Sequence, residues 1–197
     1  MIRGELMSKK IKEQLKDIKK ELILEKVSTY FEEVSYEHTK IADISKDLDI
    51  AVGTLYKLFT SKENLYYEYL MFQVNKFYIE LLANQTDNSE ENIKTFIKIK
   101  YSYFLQKRKA IESNIKTDPL FFHKLYAGEE NPMNNVYKLL EKNIELFLKD
   151  DTKNYQQLAI CFNRLSDGFI EDWMMRDFDL LNEIDTTFDM FFRGALK

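Results

Sequence analysis

Only five glycines and two prolines punctuate 197 residues. A chain folded through many tight β-turns needs those residues at its reversals, so the shortage favours helices before any pattern is considered. Periodicity agrees. From Ser8 to about Val34, Ile11, Leu15, Ile18 and Leu22 recur at intervals of 4, 3 and 4. Ile23, Val27, Tyr30, Phe31 and Val34 are expected to continue that apolar face of one helix. Thr39 or Lys40 opens a short helix carrying Ile41, Ile44 and Leu48. Asp49 to Ala51 breaks it, and Val52 to Phe59 forms the next. Ser61 is placed to cap a longer helix running to about Asn84, its hydroxyl accepting from the N–H of Asn64. Ser89 opens another. Asp118-Pro119 and Asn131-Pro132 each put a capping side chain before a proline at the first helical position. Asp150 to Thr152 and Arg176 to Asp179 are the last breaks. The expected fold is all-α, with about nine helices, no strand alternation, no internal repeat and no low-complexity tract.

Hydrophobic residues make up 45% of the chain and charged residues 31%, a balance that supports a packed core and excludes disorder. A single cysteine excludes an internal disulfide, and Cys161 with His38 and His123 cannot form a Cys-rich zinc site. Cys161 adjoins an apolar stripe and is expected to be buried. No apolar run reaches the roughly 18 residues of a membrane span, and no signal-peptide core follows Met1. The expectation is therefore a cytoplasmic protein with no membrane partner. Met7, followed by Ser-Lys-Lys, offers a second start beside Met1. A Gly-rich phosphate loop, His-Glu-x-x-His and Gly-x-Ser-x-Gly are all missing, so no enzyme, cofactor or metal is expected. Glu32-Glu33 and Glu129-Glu130 suit solvated faces or loops.

The net charge of −4 argues, taken globally, against a nucleic-acid binder, but the charge is uneven. Residues 1–20 hold seven Lys or Arg against three acids, and residues 21–37 hold five Glu against one Lys. From Ile50 to Lys62 there are two lysines and no acid. Phosphate binding responds to such local charge, because salt screens interactions beyond about 8 Å. Two short helices joined by a tight turn and braced by a longer preceding helix form a helix-turn-helix, whose second helix enters the major groove. Leu55, Leu58 and Phe59 belong to its core. The candidate DNA contacts are Thr39, Lys40, Val52, Gly53, Thr54, Tyr56, Lys57 and Lys62. Gly53 lets the backbone approach a duplex closely, Thr54 offers a hydroxyl and a methyl, and Tyr56 offers a phenol. Lys62 opposes a helix dipole by about 0.3–1 kcal/mol, which a neighbouring anion would offset.

The string from Ile23 to Leu65 resembles the N-terminal domain of TetR-type bacterial transcriptional regulators. Ile23-Leu24 and Tyr30-Phe31 match the family's first helix, and Gly53-Thr54-Leu55-Tyr56 with Phe59 matches its recognition helix. Ser61-Lys62-Glu63-Asn64-Leu65 matches the opening of its fourth helix. Asp167-Gly168 with Trp173, and the closing Phe191 to Leu196, are weaker echoes. The chain departs from the pattern at Ser35, where the family has Gly, and at Lys40, in place of a Thr or Ser. It departs again at Ala51, in place of the capping Ser, and at Leu58, in place of Tyr or His.

The resemblance implies a DNA-binding domain over residues 1–64, and a helical ligand-binding and dimerisation domain over residues 65–197. It further implies a homodimer on a pseudo-palindromic double-stranded operator, released by a small-molecule effector. Leu158, Phe162, Leu165, Phe169 and Trp173, with Leu181, Ile184, Phe188, Phe191 and Ala195, form two apolar stripes at helical spacing. From these stripes and Phe192, the expected dimer contacts are Leu158, Leu165, Phe169, Leu181, Ile184, Phe188, Phe191 and Phe192. The expected ligand contacts are Tyr101, Phe104, Phe121, Phe122, His123, Tyr137, Phe162 and Trp173, an aromatic set suited to an apolar pocket. For the aromatic residues ordinary core packing is the competing reading, and for His123 it is a satisfied or exposed histidine. Lys9, Lys10, Lys12, Lys16, Lys19 and Lys20 are either a solvated helix face or contacts to flanking phosphates. Two other classes compete with the regulator: a helical carrier or enzyme for an apolar molecule, and an interaction module that has lost DNA binding.

Overall fold

The computed structural model describes residues 2–194, without the side chains of residues 2–6, 8 and 9. Ala195 and Leu196 of the closing motif lie outside the described residues. The helices are α1 (Ile2–Val34), α2 (Ile41–Asp47), α3 (Val52–Phe59), α4 (Lys62–Ala83), α5 (Ser89–Gln106), α6 (Arg108–Thr117), α7 (Phe121–Tyr126), α8 (Met133–Leu148), α9 (Tyr155–Arg176) and α10 (Ile184–Phe192), with a 3-10 turn at Leu180–Glu183. Among the described residues there is no strand. Among the described residues there is one more α-helix than the spacing predicts, because the stretch from Ser89 to Thr117 divides at Lys107 (φ −104°, ψ 16°). No Gly or Pro marks that break. No helix among the described residues is long and apolar enough to cross a membrane.

Two compact units divide the chain, one ending at Phe72 and the other beginning at Gln73. In the first, Ile23, Leu24, Val27 and Phe31 of α1 are buried together with Ile44, Leu55, Phe59, Leu65 and Tyr69. Rings fasten α1 to α4: Phe31 lies 5.2 Å from Tyr66 and 5.1 Å from Tyr69, and Tyr36 lies 4.6 Å from Tyr66. The Ser61 hydroxyl accepts from the Asn64 N–H at 3.1 Å, the expected cap, which contributes about 1 kcal/mol. Ser35 adopts φ 76°, a left-handed conformation in which glycine is unstrained and a side chain costs about 1 kcal/mol.

One expectation fails here. Ile11, Leu15, Ile18 and Leu22 do not continue the face of Ile23 and Val27; they are 48 to 61% exposed. At about 100° per residue, the first four cluster on one side of α1. Ile23, Leu24, Val27 and Phe31 centre on the opposite side. The apolar stripe changes face between Leu22 and Ile23.

The second unit is built on α5, α8, α9 and α10. Ile93, Ile97, Val136, Ile144, Ala159, Phe162 and Phe188 are fully buried. Polar pairs fix the register between helices: Asn92 donates to Asn143 at 2.8 Å, and the hydroxyls of Tyr101 and Thr187 share a 2.7 Å bond. The Asn131 side chain accepts from the Met133 N–H at 2.8 Å and that of Asp118 from the Leu120 N–H at 3.0 Å. However, α7 starts at Phe121 and α8 at Met133, so neither proline is the first helical residue and the expected side-chain caps do not form. Helices α8 and α9 end on left-handed Lys149 and Asp177, without a glycine.

Burial raises the Tyr101 phenol well above its ordinary pKa of 10, raises Tyr126 likewise, and pushes Tyr137 up to about 12. The folded state therefore keeps these groups neutral where the unfolded chain ionises. Their contribution is intact below pH 10 and is lost as pH rises above it. Tyr101 alone removes about 1.4 kcal/mol per pH unit in that range. Fluorescence of Trp173, the only tryptophan, should report cooperative unfolding of this unit between about pH 10 and 12.

Candidate nucleic-acid interface

Helices α2 and α3 are joined by a tight turn whose hydrogen bonds are internal. The Ile50 N–H donates to the Ser45 carbonyl at 3.0 Å, the Ser45 hydroxyl donates to the Ile50 carbonyl, and the Leu48 N–H donates to the Ile44 carbonyl at 3.0 Å. Asp49 takes φ 51° in the turn. Leu55 and Phe59, each 1% exposed, hold α3 against the core, and the Tyr30 hydroxyl donates to Asp47 to tie α1 to α2. That bond adds to the effect of desolvation, and the Tyr30 phenol is raised to about 12. Ala51 begins α3 with no side-chain cap, as its sequence predicts.

The rest of α3 faces outward. Gly53, Tyr56 and Lys57, spaced i, i+3 and i+4, form a solvent-facing strip. Val52 is exposed at its N-terminal end and Thr54 is half-buried beside it. A Cβ placed on Gly53 would meet nothing within 4 Å beyond its chain neighbours and the adjoining backbone of α3. Glycine costs a helix up to about 1 kcal/mol relative to alanine, and no packing within the chain asks for it.

The other three predicted contacts stand differently. Lys40 is exposed at the start of α2. Thr39 is 2% exposed, and its hydroxyl donates to the Ser35 carbonyl at 2.6 Å, fastening the turn after α1. Lys62 reaches the Glu37 carbonyl at 3.3 Å and lies 4.5 Å over the Tyr36 ring, so its charge is already engaged within the unit.

Residues 23–69 match the sequence model of the bacterial regulatory proteins of the tetR family. The match takes in the helix-turn-helix and the adjoining parts of α1 and α4. No curated protein sequence matches the chain. Solved structures share the fold over most of the chain's length. The transcriptional regulator FadR from Bacillus subtilis, in complex with stearoyl-CoA, is similar at 15% identity and a TM-score of 0.68, over 88% of this chain and 97% of that one. FadR from Thermus thermophilus, in complex with lauroyl-CoA, is similar at 15% identity and a TM-score of 0.67, over 90% and 95%. The TetR-family regulator PfmR, also from Thermus thermophilus, shares 20% identity at a TM-score of 0.54, over 89% and 99%.

In the second unit, an open cavity of about 490 Å³ lies between α7, α8 and α9. It gathers two of the eight predicted ligand residues, His123 and Tyr137, with Tyr126, Lys138, Glu141, Ile160 and Arg164. Tyr101, Phe121, Phe122, Phe162 and Trp173 are buried in the core, and Phe104 stacks on Phe122 at 5.6 Å. Behind the cavity wall sits a buried ion pair that no spacing pattern marks. Lys100 of α5 donates to Asp167 of α9 at 2.5 Å, to Ser166 at 2.7 Å and to Asn163 Oδ1 at 2.8 Å. Tyr126 donates to the same Asp167 oxygen at 2.8 Å, and Arg164 stands 3.9 Å from the other. Burial pushes the Lys100 ammonium down and the Asp167 carboxyl up, and each is opposed by its partner.

Of the predicted dimer residues, Phe188 is fully buried inside its own unit against Phe147 and Phe192. Leu158, Leu165, Phe169, Ile184, Phe191 and Phe192 are half-buried, and Leu181 is exposed. Cys161 corrects an expectation: it is exposed, because α9 turns Phe162 rather than its neighbour into the core.

Proposed function

We propose that this protein is a ligand-responsive transcriptional repressor, binding a pseudo-palindromic operator as a homodimer through α3. The observation that carries the reading is the outward strip of Gly53, Tyr56 and Lys57 on a helix whose other face is locked in the core. A glycine without an internal purpose and a stretch from Ile50 to Lys62 without an acid suit close approach to phosphates and base edges. Lys40, Val52 and Thr54 extend that surface, while Thr39 and Lys62 shape the turn that presents it.

Half-buried apolar side chains on α9 and α10, with exposed Leu181, supply a surface for a second copy. The effector then binds in the cavity beside Tyr126 and Tyr137. It acts by preferring a protomer shape that does not fit the operator, and only its differential affinity can shift that population. Two similar FadR structures hold acyl-CoA thioesters, which makes a long-chain acyl-CoA the first effector to test. Fluorescence anisotropy with the fragment upstream of the protein's own gene provides the test. Selective binding that weakens with salt and is reversed by stearoyl-CoA supports the reading. Binding that no acyl-CoA reverses removes this effector class while leaving the DNA-binding reading intact.

A further inference from the structure

The apolar stripe on the N-terminal half of α1 lies outside the TetR-type match, which begins at Ile23. Met7 is 68% exposed, Ile11 48%, Leu15 60%, Ile18 54% and Leu22 61%. Five large apolar side chains in one row stand in water on the side of α1 opposite its core contacts. The core-facing side of the same segment is occupied by Lys20, which pairs with Glu68 at 2.6 Å and lies 5.3 Å over Phe59. The helix-turn-helix unit therefore cannot cover the stripe by closing on it.

The spacing identifies what can. Ile11, Leu15, Ile18 and Leu22 fall at d, a, d and a of a heptad, the seam of a coiled coil. The residues beside the seam are charged asymmetrically: Lys12, Lys19 and Lys26 occupy the e positions, and Gln14 and Glu21 the g positions. In a parallel pairing, g of one strand faces e of the next heptad in its neighbour. Gln14 then meets Lys19 and Glu21 meets Lys26 of another copy. An antiparallel pairing sets Lys12 against Lys19 twice, which is repulsive. Leu at a with Ile at d further favours bundles of three or four strands over two.

We propose that Met7–Leu22 is a self-association segment, packing in parallel against the same segment of other copies of this chain in a bundle of more than two strands. It joins protomers independently of α9 and α10, and does not rest on the proposed operator or effector.

The full-length chain tests it. Leu15→Glu with Ile18→Glu changes only exposed positions, so circular dichroism should show an unchanged fold. Light scattering over a concentration series should show its mass at least twofold below the parent. In a Cys161→Ser background, Ile18→Cys should cross-link rapidly under mild oxidation, because parallel d layers bring identical positions together. Lys16→Cys, on the outer side, should not. Equal masses for parent and double variant, or cross-linking of Ile18→Cys no faster than Lys16→Cys, overturns the proposal. Unchanged mass with loss of binding to anionic vesicles, or with a shallower salt dependence of DNA binding, overturns it in favour of a lipid or phosphate surface.

Discussion

Gly53→Asp is expected to leave the fold as stable as the parent, or more stable by up to about 1 kcal/mol, while weakening operator binding at least hundredfold. The two signs have separate causes. Position 53 lies in the first turn of α3, where a carboxylate interacts favourably with the helix dipole. Replacing glycine there also removes its entropic penalty. No atom of the chain obstructs the new Cβ. Outside the chain the same side chain stands between α3 and the duplex, blocks close backbone approach and places a negative charge against phosphates. Thermal unfolding and anisotropy on one preparation measure both effects. A variant that binds as tightly as the parent would show that this strip does not face DNA.

Lys100→Met is expected to lower the stability of the second unit by about 3–5 kcal/mol. Methionine nearly preserves the volume, so the loss arises from electrostatics. Asp167, 3% exposed, would lose the ammonium that compensates it, and holding a buried charge or taking up a proton there both cost stability. Its remaining neighbours are the Tyr126 hydroxyl and the more distant Arg164. Removing both charges in Lys100→Met with Asp167→Leu should recover at least half of the loss, because replacing a buried pair by apolar residues is often close to neutral. Urea unfolding followed by Trp173 fluorescence makes the comparison within this unit. A single-variant loss below about 1 kcal/mol would show that the pair is better solvated than its burial indicates.

The helix-turn-helix was the most legible part of the sequence. Its information is local: Ser61 caps through Asn64, Leu55 and Phe59 recur at helical spacing, and Ala51 lacks a capping side chain in the sequence as in the structure. Faces that depend on distant partners were less legible. Ile11 to Leu22 and Ile23 to Phe31 both have helical periodicity, yet only the phase between the two sets, opposite on one helix, reveals that a single unit cannot bury both. Aromatic content marked the second unit's core but not its cavity, since Tyr101 and Phe162 satisfy the same pattern as Tyr137. Lys100 and Asp167 are 67 residues apart, and no local rule connects a lysine in one amphipathic helix to an aspartate in another. The Asp167-Gly168 echo of the TetR pattern marked one partner without its ammonium.

Hydroxyl-radical footprinting of the upstream fragment tests most directly whether α3 enters a groove twice per assembly. Two recognition helices about 34–36 Å apart should protect two windows one helical turn apart on the same face of the duplex, related by the operator's dyad. Gly53→Asp should erase both windows together. A uniform fragment without protected windows, at protein concentrations and low salt where nonspecific binding already forms, would contradict the account.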